Sequence, residues 1–153
     1  MGSPTPDTYH VALKAFVCKD GKVLICFESP GEKWDLPGGR IAVGEFGTSL
    51  EDILKREVEE ELGSDFAYRN NGPVAVFRFL RPEITALGKP EVRVFMIGFE
   101  LQYLGGEITL SEEHSEYRWT TPREAAELLP DGQSDGMRAY IQFLEGGRKR
   151  VAY

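Results

Sequence analysis

Four glutamates and an arginine crowd into one short segment, KREVEEELGS at positions 55–64. Like charges three and four residues apart on a helix repel each other, so this crowding needs a physical explanation. Mg²⁺ is a hard cation that prefers carboxylate oxygens and takes substrate phosphates as further ligands. A bound divalent cation would therefore remove the repulsion and bring phosphate chemistry to this segment.

The segment belongs to a predicted helix that begins at Thr48. Thr48 and Glu51 form a T-x-x-E capping box, and Gly63 marks the end of the helix. The apolar residues recur at helical spacing, as in a helix that packs one side against a core: Leu50, Ile53, Leu54, Val58 and Leu62.

The glutamates lie at different angles to this apolar stripe when each residue turns the helix by about 100°. Glu61 falls inside the stripe, Glu57 lies on its edge and Glu60 lies beyond Glu57, whereas Glu59 faces water. Runs of charge usually form a solvated face, but such a face would keep Glu61 away from the core. No Lys or Arg lies four residues along this helix to neutralise Glu57 or Glu61, which favours a bound cation.

Two features before the helix support the same interpretation. The run LPGGR places Gly38 and Gly39 on a loop where a backbone without Cβ atoms can come close to a ligand. Glu45 adds one more carboxylate. Each feature alone is weak, because Gly-Gly pairs are common in turns and isolated glutamates are usually surface residues.

Together these residues resemble the Nudix box, whose usual form is G-x5-E-x7-R-E-U-x-E-E-x-G-U with U aliphatic. The chain reads GRIAVGEFGTSLEDILKREVEEELGS at 39–64, and the matching positions are Gly39, Glu45, Arg56, Glu57, Val58, Glu60, Glu61 and Gly63. The hairpin opening, WDLPGGR before the box and EEHSEYRW after it also look like this family, so the resemblance spans nearly the whole chain.

The chain departs from the family pattern at two places. Ten residues stand between Glu45 and Arg56 where the pattern has seven, and Ser64 occupies the last aliphatic position. A longer loop ahead of a capped helix leaves the helical carboxylates in register, but it puts the position of Glu45 in question.

The resemblance implies a role for each matching residue. Glu57, Glu60 and Glu61 correspond to metal ligands, with Mg²⁺ as cofactor and Mn²⁺ as a substitute, and Arg56 corresponds to an arginine that orients a helix carboxylate. The expected site comprises the catalytic residues Glu60, Glu113 and Arg56, the substrate-binding residues Gly38, Gly39 and Arg40, and the metal ligands Glu57, Glu60 and Glu61.

The family often draws a further carboxylate from a late loop, as ligand or as general base. Glu113 is the first choice for this role, followed by Glu112 and Glu116. Taken alone, each of them reads as a solvated loop residue. Whether Glu60 or Glu113 would accept the proton stays open at this point.

The implied activity is Mg²⁺-dependent hydrolysis of the diphosphate bond in a nucleoside diphosphate linked to another group. The alternative is a catalytically silent nucleotide-binding or sensor module of the same fold, for which the longer loop and Ser64 leave room. A diphosphate isomerase would need a catalytic cysteine, and Cys18 and Cys26 lie inside predicted strands. Candidate substrates include GDP-sugars, ordinary and oxidised nucleoside triphosphates, ADP-ribose and dinucleoside polyphosphates.

Composition narrows the class of protein further. The 153 residues carry a net charge of −7, which argues against a general nucleic-acid binder because duplex affinity depends on Lys and Arg. No apolar run is long enough for a membrane span, and the N-terminus lacks the pattern of a signal peptide. Two cysteines without metal-ligand spacing fit a reducing cytoplasm. A homodimer is compatible with the sequence, but no interface is evident.

The elements around the box alternate between strands and helices. We expect strands at 9–19, 22–28, 34–36, 40–43, 74–80, 91–103, 108–110 and 117–120, and helices after Thr48, after Thr121 and after Ser134 or Asp135. Pro37, Gly38 and Gly39 are expected to interrupt regular structure, and 81–90 and 111–116 are expected to form loops.

The predicted fold class is α/β (α+β), a Nudix-type α/β/α sandwich with a mixed β-sheet. Residues 9–146 are expected to form a single Nudix domain between a flexible N-terminus at 1–8 and a C-terminal tail at 147–153.

The two histidines and several aromatic residues lie outside the box. His10 begins a strand and His114 lies in a polar loop, so we expect structural or solvated roles, with a substrate contact or base as the alternative for His114. Candidates for stacking a nucleobase, although such aromatics more often belong to a core, are Trp34, Phe46, Phe79, Phe95 and Tyr117.

Overall fold

The computed structural model describes residues 2–82, 88 and 91–149. Its elements are β1 His10–Lys19, β2 Lys22–Glu28, β3 Lys33–Asp35, β4 Gly38–Arg40, α1 Leu50–Leu62, β5 Ala67–Arg81, β6 Val92–Gly105, β7 His114–Thr120, α2 Pro122–Leu128 and α3 Gln133–Glu145. Within the described residues, no helix is long and apolar enough to cross a membrane.

The strands form one mixed sheet in the order β3-β2-β1-β6-β5, with β4 paired to β1 and β7 paired to β2. β1 runs parallel to β6 and antiparallel to β2, while β5 and β6 form a long antiparallel pair. β1 pairs with β2 through Cys18 and Lys19, and with β4 through Ala12, Leu13 and Lys14. The segment from β3 to β4 therefore bridges β2 and β1. This bridge positions Pro37, Gly38 and Gly39, which we call the glycine loop.

Helices cover both faces of the sheet, because side chains of β1 alternate between two cores. Leu13 and Val17 face α1 and pack with Ile53, Leu54, Val58 and Leu62. Ala12 and Phe16 face the other layer and pack with α2 and α3, including Ala126, Met137 and Tyr140. Each fully buried large apolar side chain contributes about 1.5–3 kcal/mol. The predicted α/β/α sandwich with a mixed sheet is confirmed.

Two of the three predicted helix caps differ from the structure. The N-cap of α1 is Ser49, whose hydroxyl accepts a hydrogen bond from the Asp52 amide at 3.2 Å, and not Thr48. The N-cap of α3 is Gly132, with a φ of 86°, and position 132 requires glycine because a Cβ there would lie 2.5 Å from the Arg78 carbonyl oxygen. Ser134, predicted as a cap, instead donates its hydroxyl to the Ala126 carbonyl.

The third cap and the hairpin agree with the predictions. Thr121 caps α2 by accepting a hydrogen bond from the Glu124 amide, with Pro122 at the first helical position. Cys18 and Val23 pair across the turn at Asp20 and Gly21, as the DG signal indicates.

Several strand boundaries were wrong. Pro37-Gly38-Gly39 does not end regular structure, because Gly38–Arg40 adds to the edge of β1 as β4. β5 begins at Ala67 and not at Val74, since register shifts between Asn70 and Ala75 accommodate Gly72 and Pro73 within the pairing with β6.

The remaining differences concern the second half of the chain. Residues 108–110 form no strand, whereas β7 starts at His114, inside the predicted polar loop. The predicted loop at 81–90 and the tail at 147–153 lie partly outside the described residues, and the flexible termini remain predictions.

Candidate active site

The carboxylates of α1 differ sharply in exposure. Glu57 and Glu61 are 8% and 6% exposed and lie one turn apart, while 58% of the Glu60 side chain is exposed. Glu59 is also exposed. Helical rotation relative to the apolar stripe predicts this order of burial. Two acidic side chains of the box are thus buried at the edge of the α1 core.

The glycine loop lies against these two carboxylates. Gly38 donates its amide hydrogen to Glu61 Oε2 at 2.9 Å. A Cβ on Gly39 would lie 2.4 Å from Glu57 Oε2, and a Cβ on Gly38 would lie 2.0 Å from the Leu13 carbonyl oxygen. Gly38 also has a φ of 133°, which disfavours any residue with a Cβ. Position 38 therefore requires glycine, and a side chain at position 39 would displace the Glu57 carboxylate.

Arg56 connects the longer loop to the helix carboxylates. Its Nε and a terminal nitrogen donate to the two oxygens of Glu45 at 2.8 and 2.7 Å, while its other terminal nitrogen lies 3.0 Å from Glu57 Oε1 and 3.3 Å from Glu60. Glu45 also accepts the Ala42 amide at 2.7 Å. The longer loop thus leaves Glu45 in place, because it folds into a turn closed by the Thr48 amide and the Glu45 carbonyl.

The second departure from the box leaves α1 packed. Ser64 is exposed, and Phe66, two residues later, is buried in the core beneath α1. Gly63 ends the helix with a φ of 91°, and its amide bonds the Glu59 carbonyl.

The protein supplies its own cations to the helix glutamates. Arg56 lies on the same helix, one residue before Glu57, and Lys14 reaches the site from β1. Burial raises the pKa of Glu57, opposed by Arg56. Burial raises the pKa of Glu61 to about 7, opposed by Lys14 and by the Gly38 amide. The repulsion inferred from the sequence is therefore partly relieved without a metal ion.

Lys14 and Gln133 form hydrogen bonds with Leu36, which precedes the glycine loop. Lys14 is 6% exposed, and its ammonium donates to Asp35 Oδ1 at 3.1 Å and to the Leu36 carbonyl at 3.0 Å. Gln133 of α3 accepts the Leu36 amide at 2.8 Å and donates to Asp35 Oδ1 at 2.7 Å. Asp35 is therefore a hub that joins β1, β3 and α3.

The charges of this hub support one another. Burial alone would raise the pKa of Asp35, but the Lys14 ammonium and hydrogen bonds hold it well below its ordinary value. Burial alone would lower the pKa of Lys14, but Asp35 and Glu61 hold it above its ordinary value. A buried ion pair with its hydrogen bonds satisfied fixes geometry. The Nudix box does not include Lys14, Asp35 or Gln133, so the sequence did not predict them as site residues. Strand alternation alone places Lys14 on the same buried face as Ala12 and Phe16.

The late loop contributes side chains of different exposure. Glu112 and Glu113 are exposed and line the same cavity as the helix glutamates, whereas Glu116 pairs with Phe27 across β7 and β2 and is outside the cavity lining. His114 is buried, so of its two predicted roles, structural or solvated, the solvated one is wrong. The Ser111 amide bonds the Glu61 carbonyl at 3.3 Å, which ties the loop to the end of α1.

These side chains surround a cavity of about 700 Å³. Glu57, Glu60 and Glu61 line one part of it, and Arg40, whose guanidinium lies 3.1 Å from His10 Nδ1, lines it as well. Phe79 is the one stacking candidate that lines the cavity; Trp34 packs on Phe27 instead. The volume suits a small-molecule ligand.

The glutamate oxygens of the site are of the kind that a hard divalent cation prefers, but they do not yet converge on one point. Among the described residues, no three acidic or histidine side chains already converge as metal ligands. Glu57 and Glu61 nevertheless present carboxylates that line the cavity, and Gly39, which has no Cβ, lets the Glu57 carboxylate lie directly against the backbone. Oxygen donors of this kind are those that Mg²⁺ or Mn²⁺ prefers. Binding a cation requires Arg56 to share the oxygens of Glu57 and Glu60.

Comparison with known proteins gives consistent results. A family model described as NUDIX domain matches residues 8–142. A nucleoside triphosphatase NudI from Escherichia fergusonii is 31% identical over 115 residues, covering 71% of this chain and 79% of the relative. A MutT protein structure from Methanosarcina mazei Go1 superposes with a TM-score of 0.73 at 26% identity, covering 95% of this chain and 100% of that chain. An ADP-ribose pyrophosphatase structure from Streptococcus suis, at 21% identity and a TM-score of 0.65, covers 95% of this chain and 97% of its own and shares the fold.

Proposed function

The chain belongs to the Nudix family and is a hydrolase of phosphoric anhydride bonds, and we propose that it is a Mg²⁺-dependent pyrophosphohydrolase of a nucleoside diphosphate linked to another group. Nucleoside triphosphates head the candidate substrates, because relatives at 30 to 31% identity carry the name nucleoside triphosphatase. Nucleotide sugars, ADP-ribose and dinucleoside polyphosphates share the same diphosphate linkage. A cytoplasmic location and a homodimer remain predictions from the sequence.

One observation carries the proposal: two buried carboxylates, Glu57 and Glu61, lie against Gly38 and Gly39 and line an open cavity. Burying two carboxylates that bind no ligand would be costly, since desolvation disfavours their charged forms. Their position in the wall of a 700 Å³ cavity gives a small anionic substrate access to them.

Hydrolysis of a diphosphate meets two physical obstacles. The negative phosphates repel a nucleophile, and neutral water is a weak nucleophile. A divalent cation supplies charge screening for the phosphate oxygens and a lowered pKa for water when it is bound. Glu57, Glu60 and Glu61 would hold it, while Arg56 keeps Glu57 oriented through its fixed pair with Glu45.

The general base is a glutamate at the open side of the cavity. Glu60 and Glu113 are both exposed and both line it, so either carboxylate has access to water and to the substrate. Proton transfer to a positioned carboxylate contributes about 10²- to 10⁴-fold to a rate. Glu60 is held by Arg56 at 3.3 Å, which leaves Glu113 the better proton acceptor.

The alternative is a catalytically silent nucleotide-binding module. The ion pairs of Arg56 with Glu57 and Glu60 favour the silent module, because carboxylate oxygens that a metal ion would need already contact the arginine. Binding of a nucleotide without turnover would identify such a module.

A substrate panel with one pair of matched variants separates these functions. Nucleoside triphosphates, oxidised nucleoside triphosphates, GDP-sugars, ADP-ribose and dinucleoside polyphosphates are assayed at equal concentration with Mg²⁺ for release of phosphate, pyrophosphate or nucleoside monophosphate. We expect turnover that Glu61→Gln abolishes and Glu59→Gln, an exposed neighbour on α1, preserves. Nucleotide binding without turnover by the wild-type protein would support the silent module instead.

A further inference from the structure

Two polar side chains of the late loop are buried without a hydrogen-bond partner. Both ring nitrogens of His114 and the hydroxyl of Ser111 find no such partner among the described residues. The His114 side chain is 2% exposed. Buried polar groups in folded proteins nearly always have a partner, so unpaired ones point to water or to a ligand.

Both side chains line the cavity of the active site. The turn that carries them is fixed, because the His114 amide bonds the Ser111 carbonyl at 3.2 Å and the Ser111 amide bonds Glu61 of α1. The Glu113 carbonyl accepts the Ser29 amide at 3.0 Å, which anchors the same turn next to β2. The unpaired atoms thus occupy a rigid place in the site.

Asp35 lies next to the imidazole of His114. His114 Nε2 is 3.5 Å from Asp35 Oδ2, a distance that suits an ion pair but lacks hydrogen-bond geometry. Lys14 and Gln133 both hold Asp35 Oδ1, so Oδ2 has a fixed position facing the ring. A carboxylate beside one ring nitrogen keeps the proton on that nitrogen and leaves the other nitrogen for a different contact.

We propose that His114 and Ser111 form a subsite that donates hydrogen bonds to a phosphate oxygen of the substrate, with Asp35 as the positioning residue of the imidazole. The proposal rests on the proposed function, since the phosphate oxygen is that of the diphosphate. The groups that act on the ring are charged, namely Asp35, Glu61 and Lys14, so this part of the cavity suits a polar group better than an apolar one.

The charge on the ring supports a donor role. The Asp35 carboxylate, 3.5 Å from His114 Nε2, favours the charged form of the imidazole. A protonated imidazole is a donor at both nitrogens, so one can face Asp35 and the other the phosphate. Hydrogen bonds to charged groups are the stronger class.

Nuclear magnetic resonance of the wild-type protein tests the contact directly. The chain contains two histidines, so ¹⁵N labelling of histidine gives two imidazoles, and a His10→Asn variant assigns them. Mg²⁺ is added first, and methylenediphosphonate, a diphosphate analogue that cannot be hydrolysed, is added second. We expect the ¹⁵N shifts of His114 to change on the second addition. Shifts that respond to Mg²⁺ alone, or to neither, would overturn the proposal and leave a buried water as the partner.

Variants test the energetic weight of the contact. His114→Phe should lower kcat/KM by about 10- to 100-fold, the usual range for a lost hydrogen bond to a charged group. His114→Asn, whose amide can replace one ring nitrogen, should recover part of that loss. Ser111→Ala should lower kcat/KM less, and Ser115→Ala, on the exposed side of the same segment, should match wild type. Equal kcat/KM in His114→Phe and wild type would contradict the proposal.

Asp35→Asn separates positioning from structural support. The amide keeps the shape of the side chain but presents a donor or acceptor in place of a fixed acceptor, which changes the tautomer of His114. We expect altered ¹⁵N shifts of the His114 ring and a weaker response to methylenediphosphonate, with unfolding still cooperative. An unchanged His114 spectrum would exclude Asp35 as the positioning residue. Wild-type turnover without any His114 response refutes the subsite alone, whereas absence of turnover on the whole panel refutes the proposed function.

Discussion

Gly39 lies so close to Glu57 that a Cβ on the glycine would be 2.4 Å from Glu57 Oε2. This contact joins β4, an edge addition to β1, to the buried side of α1. It explains the glycine at position 39 of the box, because the Glu57 carboxylate fills the volume that a side chain at this position would need.

Gly39→Ala should therefore displace the Glu57 carboxylate while the fold survives, because the clash involves the far end of a flexible side chain. We expect kcat/KM to fall by about 10- to 100-fold, the range seen when support of a metal ligand is lost. Gly47→Ala is the matched control, since nothing lies within 4 Å of a Cβ at that position, which is in the loop between β4 and α1. Equal activity in both variants would show that Glu57 is not needed in this position.

Arg56→Lys should lower kcat/KM by at least about tenfold, because lysine keeps the charge but loses the planar fork that bonds both oxygens of Glu45. Lys55→Arg, the reverse exchange at the exposed neighbour, should have no effect. Adding Glu45→Gln to Arg56→Lys should cause little further loss, since both changes break the same pair. Strictly additive losses would mean that Arg56 acts independently of Glu45.

The stability of the metal-free protein should depend on pH through Glu61. Burial raises the pKa of Glu61 to about 7 from an ordinary value of 4.5. Between these values the folded state holds a proton that the unfolded state releases, so the free energy of unfolding falls as pH rises and levels off above 7. The expected loss is about 3 kcal/mol, at about 1.4 kcal/mol per pKa unit.

Urea unfolding in a chelator, from about pH 4 to 8, measures this loss. Glu61→Gln removes the titrating group, so the difference in unfolding free energy between variant and wild type should grow across the window from pH 4.5 to 7. A difference that stays constant with pH would mean that Glu61 is ionised throughout.

Gln133→Met should disturb the site from the opposite layer of the fold. Methionine fills a similar volume but leaves the buried Leu36 amide without its acceptor at 2.8 Å, at a cost of about 1–3 kcal/mol. We expect lower thermal stability and lower kcat/KM together, because Leu36 precedes the glycine loop. Gln142→Met, on the exposed side of α3, should change neither quantity. Loss of stability with intact kcat/KM would limit Gln133 to a structural role.

The parts of the site that the sequence predicts are those set by local geometry. Helical rotation relative to Ile53 and Leu54 places Glu57 and Glu61 at the core and Glu59 in water, because a period of 3.6 residues needs no tertiary information. The DG turn and the cap at Thr121 are similarly local. These features agree with the structure.

The parts that escape prediction depend on contacts between distant segments. Lys14 meets Asp35 only because β3 and β4 bridge β2 and β1, and Gln133 reaches Leu36 from 97 residues away. Gly132, the N-cap of α3, must be glycine because the Arg78 carbonyl leaves no room for a Cβ, which no pattern near Gly132 reveals. The neutralising role of Lys14 is likewise invisible from α1 alone.

Manganese binding shows whether Glu57, Glu60 and Glu61 hold a divalent cation. Electron paramagnetic resonance would count bound Mn²⁺ with methylenediphosphonate present in wild type, in the double variant Glu57→Gln and Glu61→Gln, and in Glu59→Gln as control. We predict binding in wild type and Glu59→Gln, with affinity at least about tenfold weaker in the double variant. Equal Mn²⁺ binding in all three proteins, or none in wild type, would contradict the account.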